Sequence, residues 1–432
     1  MKVQLHITPR DALIDVPRAI SVEGVLPNTE VTLRTQTLRA KQVIWQSEAV
    51  FLANATGSID LQQDAPLRGS YQGVEAMGLI FSQTPTQEGS AVFPEDVTQP
   101  LITVVSVYAK GVLLAEGELI QRFAHDDVER IEVREDGLVG TIFKPKHKGS
   151  YPAVIVLNGS GGGINEPRAA LYAAHGYIAF ALAYFKAPGL SDYISNTPLE
   201  YFVKGIDWLR EHYKPRHNFV ALSGQSRGGE LVLLLGSLFP DKVSAIIAFV
   251  PGAVVHSAQN AADPKLGREG YAWLLNGKPI PHVWENNKTA TWVPFDEGDP
   301  PHRHELAVRT ALADKDAVAR ARIRVEHCRC PILLISAEDD GAWPSQWYSQ
   351  MVMDTLRAHH YPYIYRWSHH LQAGHTIVFP YLPTTQLVHK HPVSQRLSTQ
   401  GGTMLANAHA NEQAWKDVQQ FLFDSTGYYP TL

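Results

Sequence analysis

The feature that most restricts how this chain can fold is a change of rhythm near residue 128. Beyond it, short apolar runs alternate with segments of helical spacing. Val154 to Leu157, Tyr177 to Ala183, Phe219 to Leu222, Ala245 to Phe249, Ile332 to Ile335 and Tyr363 to Trp367 read as strands. Arg168 to His175, Leu199 to Tyr213, Gly228 to Leu238 and Asn411 to Phe423 read as helices, the last with Trp415, Val418 and Leu422 on one stripe. Strands this uniformly apolar belong in a parallel sheet covered on both faces by helices. Before residue 128 the segments are short and alternating, with Gly, Pro and Asn between them and no convincing long helix. Ala19 to Val25, Glu30 to Gln36, Ser58 to Leu61, Gly78 to Phe81, Ile102 to Tyr108 and Glu118 to Phe123 read as strands of a β-sandwich. A chain of 432 residues exceeds one ordinary core, so the expectation is two domains, 1–128 all-β and 129–432 α/β. Between Pro251 and Arg322 the alternation lapses, and a lid and a surface excursion are both open.

The α/β half carries Gly224-Gln225-Ser226-Arg227-Gly228 between an apolar strand and a Leu-rich helix. A serine on so sharp a turn is exposed at the strand's end, and small residues two before and two after it prevent clashes. The pattern is expected to be the nucleophile elbow of an α/β-hydrolase with Ser226 as the nucleophile, the alternative being a glycine-rich βα turn with an incidental serine. A serine hydroxyl needs a base, and in this fold the acid and then the histidine follow the serine in the chain. Ile332 to Ile335 ends in Glu338-Asp339-Asp340, and Asp340 precedes Trp343-Pro344 by the Asp-x-x-apolar-Pro spacing. Asp340 is the expected acid, with Asp339 and Glu338 as rivals. Gly374-His375 follows the next strand, so among 19 histidines His375 is the expected base, with His369 and His370 as rivals in the same loop. An oxyanion hole needs backbone N–H donors, each lowering the barrier by roughly 3–4 kcal/mol. Arg227, after the nucleophile, should supply one. The loop Asn158-Gly159-Ser160-Gly161-Gly162-Gly163 should supply the other, from Gly159, Ser160 or Gly161. It lacks the Gly-Lys-Ser/Thr ending of a phosphate-binding P-loop.

Several function classes are disfavoured. A net charge of −5 with no basic block gives no reason to expect nucleic acid. No run approaches the roughly 18 apolar residues of a membrane span, and the N-terminus lacks a signal-peptide apolar stretch, so a soluble cytoplasmic chain is expected. Cys328 and Cys330 are too close for an unstrained disulfide and too few for a structural zinc site. No metal and no cofactor are expected; the partner is expected to be a small molecule, and the oligomeric state is open.

Further motifs run through both halves: Arg68-Gly69-Ser70-Tyr71-Gln72-Gly73-Val74-Glu75-Ala76-Met77-Gly78-Leu79, Arg168-Ala169-Ala170-Leu171, Ala181-Leu182-Ala183-Tyr184-Phe185, and Leu199-Glu200-Tyr201-Phe202. Asp339-Asp340-Gly341-Ala342-Trp343, Gly374-His375, Pro380-Tyr381-Leu382-Pro383, Ala406-Asn407-Ala408-His409 and Ala414-Trp415 follow in order. The chain thereby resembles the type I acyl-CoA thioesterases and bile acid-CoA:amino acid N-acyltransferases over nearly its whole length. The resemblance implies an immunoglobulin-like N-terminal domain before the α/β-hydrolase domain. It also implies attack on an acyl-CoA thioester through a covalent acyl-enzyme. Conjugating members are typified by cysteine at the elbow, so Ser226 implies water as the acceptor. Three features depart from the family: Gln225 and Arg227 stand where Ile and Lys are commoner, the loop from Trp367 to His375 is longer, and Leu266 to Ala321 fits no family segment. Alternatives on the same scaffold are a carboxylic ester hydrolase, an acyltransferase to an amine or alcohol, and a non-enzymatic binding protein.

Overall fold

The computed structural model describes residues 2–88 and 91–428. The chain divides into two compact units, Met1–His125 with Phe379–Gln386, and Asp126–Val378 with Leu387–Leu432. A late piece of chain thus returns to the first unit, where Phe379 packs its ring on Phe93 and Phe123 and Thr385 donates to Gln83 O at 2.7 Å.

The first unit is built on antiparallel pairing. Glu30–Leu38 lies between Ile44–Leu52 and Leu101–Ala109, and Val112–Arg122 follows on the far side of Leu101–Ala109. A separate three-stranded sheet joins Gln4–Thr8, Ala19–Glu23 and Ser58–Asp60. Alternation places Val31, Leu33, Val105 and Val107 in the core. Gly78–Phe81, expected as a strand, is instead a single helical turn whose four residues are all buried. A short continuous apolar run carries no period that separates the two conformations, and here tertiary packing decides.

The second unit holds an eight-stranded sheet: β1 (Val128–Val133), β2 (Val139–Pro145), β3 (Ala153–Leu157), β4 (Ile178–Ala183), β5 (Val220–Gln225), β6 (Ala245–Phe249), β7 (Ile332–Ala337) and β8 (Tyr365–His370). Their order across the sheet is β1-β2-β4-β3-β5-β6-β7-β8. The first two join antiparallel and the rest are parallel. Every residue of β3, β4, β6 and β7 is buried, as a sheet with both faces covered requires. The four loops that carry the expected site residues leave β3, β5, β7 and β8 at their carboxyl ends, where parallel α/β sheets place their ligands. Helices expected near the observed bounds are Glu166–Ala174, Glu200–Tyr213 and Arg227–Leu238, whereas Met404–Thr426 starts seven residues before the expected Asn411. β8 runs on to His370 because its register with β7 continues to Ala337. His369 and His370 are therefore strand residues rather than part of a long loop.

The stretch from 251 to 322 is neither regular nor loose. It contains the helices His304–Leu312 and Lys315–Ala321. Trp284 and Trp292 stack at 3.9 Å, and the Arg268 guanidinium lies 4.2 Å from the Trp292 ring while pairing with Asp296. Among the described residues, no helix is long and apolar enough to cross a membrane. Cys328 and Cys330 are free and buried. Burial pushes the Cys330 thiol up to about 12 and raises Cys328 as well, so neither is a ready nucleophile.

Candidate active site

β5 ends at Gln225 and a helix starts at Arg227, leaving one residue for the reversal. That residue, Ser226, sits at φ 58°, ψ −118°, a conformation L-residues hold only where the surroundings enforce it. Gly224 and Gly228 explain how the turn closes. A Cβ on Gly224 would stand 2.0 Å from Gly228 O, and one on Gly228 would stand 2.4 Å from Leu157 O. The turn is further held by Ser226 N donating to Phe249 O at 2.8 Å.

His375 Nε2 lies 2.8 Å from Ser226 Oγ, and His375 Nδ1 lies 2.8 Å from Asp340 Oδ2. The other carboxylate oxygen, Oδ1, accepts from the amides of Ala342 (2.9 Å) and Trp343 (3.1 Å). Asp340 is therefore fixed from both ends. Its Oδ2 accepts a hydrogen bond from Nδ1–H, which holds the tautomer whose Nε2 lone pair faces the serine. The loop carrying His375 is pinned in turn, with Gly374 N donating to Asn407 Oδ1 at 2.7 Å and His375 N to Gln400 O at 2.8 Å. Such an arrangement can draw the hydroxyl proton onto the imidazole as Oγ attacks.

The rivals are engaged elsewhere. Asp339 pairs with Arg303 at 2.9 Å and accepts from Gly402 N at 2.8 Å. Glu338 accepts from Gln372 N at 2.8 Å. His369 contacts Ser336 Oγ at 3.1 Å and His370 contacts Ser368 Oγ at 3.0 Å.

Arg227 opens its helix, so its N–H is among those with no intrahelical acceptor. In the glycine loop the expectation needs one correction. Gly159 donates its N–H to Asn158 Oδ1 at 3.1 Å, because the Asn158 side chain folds back and also donates to Gly162 O at 2.7 Å. Of the three amides expected to serve as donors, Ser160 and Gly161 have no protein acceptor among the described residues.

The two elbow departures have structural partners. Gln225 Oε1 accepts from the buried Arg168 at 2.9 Å, whose guanidinium lies 4.1 Å from the Phe249 ring. The Arg227 side chain, 2% exposed, pairs with the fully buried Glu230 at 2.9 Å and donates to Ser257 O at 2.7 Å. Trp273 Nε1 also donates to Glu230, at 3.0 Å. Burial pushes the Glu230 carboxyl up while Arg227 opposes it. Removing one partner of a buried pair strands the other charge. Glu230→Ala should therefore lower the unfolding free energy by about 3–5 kcal/mol, read as a shift of the denaturant midpoint.

Sequence reasoning missed the rest of the cavity in which Ser226 and His375 meet. Its walls include Gln259, Asn260, His304, His389 and His391. Gln259, Asn260 and His304 come from the stretch whose role the sequence left open, and sequence reasoning does not single out His389 and His391 among the 19 histidines. Burial lowers His304 and His370 to about 4 and His391 to about 3. Each is neutral in the fold and protonated when unfolded between its lowered value and about 6.5. Stability is thus complete above about pH 6.5 and is lost as pH falls through that window. Denaturant midpoints should fall steadily from about pH 6.5 to about pH 5, before most carboxylates titrate; a flat profile there would contradict these assignments.

The family described as acyl-CoA thioester hydrolase/BAAT N-terminal region matches residues 15–135, and BAAT/acyl-CoA thioester hydrolase C terminal matches residues 197–427. The chain is 28% identical to acyl-coenzyme A thioesterase 6 of Homo sapiens over 426 residues, covering 94% of this chain and 93% of that protein. It is 29% identical to acyl-coenzyme A amino acid N-acyltransferase 1 of Mus musculus, covering 98% and 97%. An alpha/beta hydrolase enzyme from a Medee basin deep-sea metagenome library, 14% identical, covers 70% of this chain and 100% of its own at a TM-score of 0.40.

Proposed function

Because this chain belongs to the acyl-CoA thioester hydrolase/BAAT family, we propose that it hydrolyses acyl-CoA thioesters through an acyl-enzyme on Ser226. The observation that carries the reading is the hydrogen-bonded series from Ser226 Oγ through His375 to Asp340. Ser226 Oγ attacks the thioester carbonyl carbon while His375 Nε2 takes its proton. Asp340 stabilises the imidazolium and keeps its orientation. The carbonyl oxygen, now negative, is held by the amide of Arg227 and by that of Ser160 or Gly161. When the tetrahedral intermediate collapses, the carbon–sulfur bond breaks and the CoA sulfur departs, taking the proton from His375. A thiol of pKa about 8.5 leaves more readily than an alkoxide or amine. His375 then removes a proton from water, which attacks the acyl carbon and returns Ser226 with release of the carboxylic acid.

The serine at the elbow favours water over an amine acceptor, since the conjugating relatives are typified by cysteine there. We assign the catalysis to the second unit, the expected 129–432 domain without the Phe379–Gln386 piece, and read residues 1–128 as an immunoglobulin-like sandwich. The test is release of free thiol from a series of acyl-CoAs by the purified chain. Hydrolysis of aryl esters with no turnover of any acyl-CoA moves the assignment to an ester hydrolase. Amide product on adding glycine or taurine moves it to a transferase.

A further inference from the structure

We propose that His391 is a positioning residue for the oxyanion hole: by holding the Ser160 side chain, it fixes the Ser160 amide as the second donor beside that of Arg227. The inference rests on the reading of Ser226 as the acylated residue. It names which loop amide serves that residue and what keeps the amide in place.

The loop after β3 narrows the choice of donor. A Cβ on Gly159 would stand 3.1 Å from Gln225 O and 3.2 Å from Ser226 Cβ, so the loop leaves its strand directly against the elbow. Gly162 N then donates to Gly159 O at 3.1 Å, closing a turn with Ser160 and Gly161 at its centre. Ser160 lines the cavity together with Ser226, Arg227 and His375. Gly161 is not part of that lining, and a Cβ there would stand 3.6 Å from Pro392 Cγ. The Ser160 amide has no protein acceptor among the described residues, so it is the donor left for the substrate oxygen.

The turn does not fix that amide by itself. Three glycines follow, with Gly162 and Gly163 at φ 67° and 77°, and glycine restrains its peptide planes least. The Ser160 side chain supplies the restraint. His391 Nδ1 accepts from the amides of Val393 (3.2 Å) and Ser394 (3.3 Å). Those amides only donate, so the proton of the neutral ring is on Nε2, which donates to Ser160 Oγ at 2.9 Å. His391 is 7% exposed, and burial lowers it to about 3, so this tautomer persists at neutral pH.

His391 is itself held. Its N–H donates to Arg396 O and its carbonyl accepts from Gln395 N, both at 2.9 Å. Lys186 Nζ donates to the neighbouring Pro392 O at 2.5 Å. His391 lies between the paired strands Val388–Lys390 and Leu397–Thr399. Directly after the second strand, Gln400 O accepts from His375 N (2.8 Å) and from Gly341 N (3.0 Å). One hairpin thus meets the base, the residue after the acid and the oxyanion loop, and His391 is its contact with the last.

The experiment measures kcat and KM of the purified full chain for butyryl-CoA and p-nitrophenyl butyrate. End-point fluorophosphonate labelling of Ser226 expresses kcat per active site. Ser160→Ala and His391→Leu should each lower kcat by about 30-fold with KM within about threefold, because a displaced donor matters most where the oxygen carries charge. The double variant should lose no more than either single one, since both remove the same bond. His391→Gln, which restores a side-chain N–H donor, should recover most of the loss. A purely structural role would lower the labelled fraction and leave kcat per labelled site unchanged; that result overturns the proposal. So do losses that multiply in the double variant, and so does Ser160→Ala at native kcat, which decides the matter if His391→Leu does not fold. Turnover of the ester with no thioester turned over by the native chain overturns the CoA assignment, and the same ratios on the ester then test the positioning role. A native chain that neither labels nor turns over either compound overturns both.

Discussion

Ser226→Ala is expected to lower acyl-CoA hydrolysis by about 10⁴-fold or more, with little change in unfolding midpoint. The size follows from the geometry. Ser226 Oγ is the atom hydrogen-bonded to His375 Nε2, and no other hydroxyl in the cavity has that partner: Ser160 Oγ is tied to His391. Alanine removes the nucleophile but leaves the amides of Arg227 and the glycine loop, so some residual rate above that in water should persist. Methyl for hydroxymethyl also leaves the backbone turn in place, since Gly224 and Gly228 make the room for it. A loss below about tenfold would mean that another group attacks.

The second large effect is expected from Asp340→Asn, about 10⁴-fold in kcat, and its cause differs. The amides of Ala342 and Trp343 both donate to Oδ1. In the asparagine variant those two donors hold the amide oxygen at that position, which puts the NH2 group where Oδ2 meets His375 Nδ1. The amide can only donate there, so the imidazole proton moves to Nε2 and the ring can no longer accept from Ser226. Asp340→Ala, which leaves the ring free to choose its tautomer, should lose less orientation-dependent activity at high pH than Asp340→Asn. Equal and small losses in both would show that the carboxylate is not what orients His375. Initial rates across pH, with Ser226 labelling as a check on folding, make the comparison.

The portions of the fold that can be read from the residues are those set locally. The sequence places a strand at Ala245 to Phe249, and β6 occupies Ala245–Phe249; the β-branched Ile246 and Ile247 favour that conformation, and pairing with β5 and β7 on both sides fixes it. The elbow is legible because its requirements lie within five residues, and Asp340 and His375 because each follows a strand in the order the fold imposes. Helix Met404–Thr426 begins seven residues before the expected Asn411. Its first turn is capped by Thr403 and faces the His375 loop through Asn407, so polar residues there serve packing rather than a stop. The return of Phe379–Gln386 to the first unit leaves no local mark at all.

The cavity walls are not legible for a related reason. Gln259 and His304 come from a stretch without a repeating period, and long-range contacts place them. Arg227 reaches from the elbow to Ser257 O, and Arg268 and Arg396 converge on Asp296. Among 19 histidines, nothing in composition distinguishes a cavity-lining imidazole from His212, which stacks on Trp208 at 4.5 Å. The Gly159 amide fails as an expected donor because Asn158 competes for it, a side-chain choice that a glycine-rich pattern conceals.

In the proposed reaction the acyl group of a CoA thioester is transferred to Ser226 before it meets water. Rapid acid quench of the full chain during turnover of a short acyl-CoA, followed by mass spectrometry of the intact protein and its peptides, observes that step directly. The expected result is a mass increase equal to the acyl group less one hydrogen, localised to the peptide containing Ser226 and absent from Ser226→Ala. Continued thiol release by Ser226→Ala, or an acyl adduct on a different residue, would contradict it.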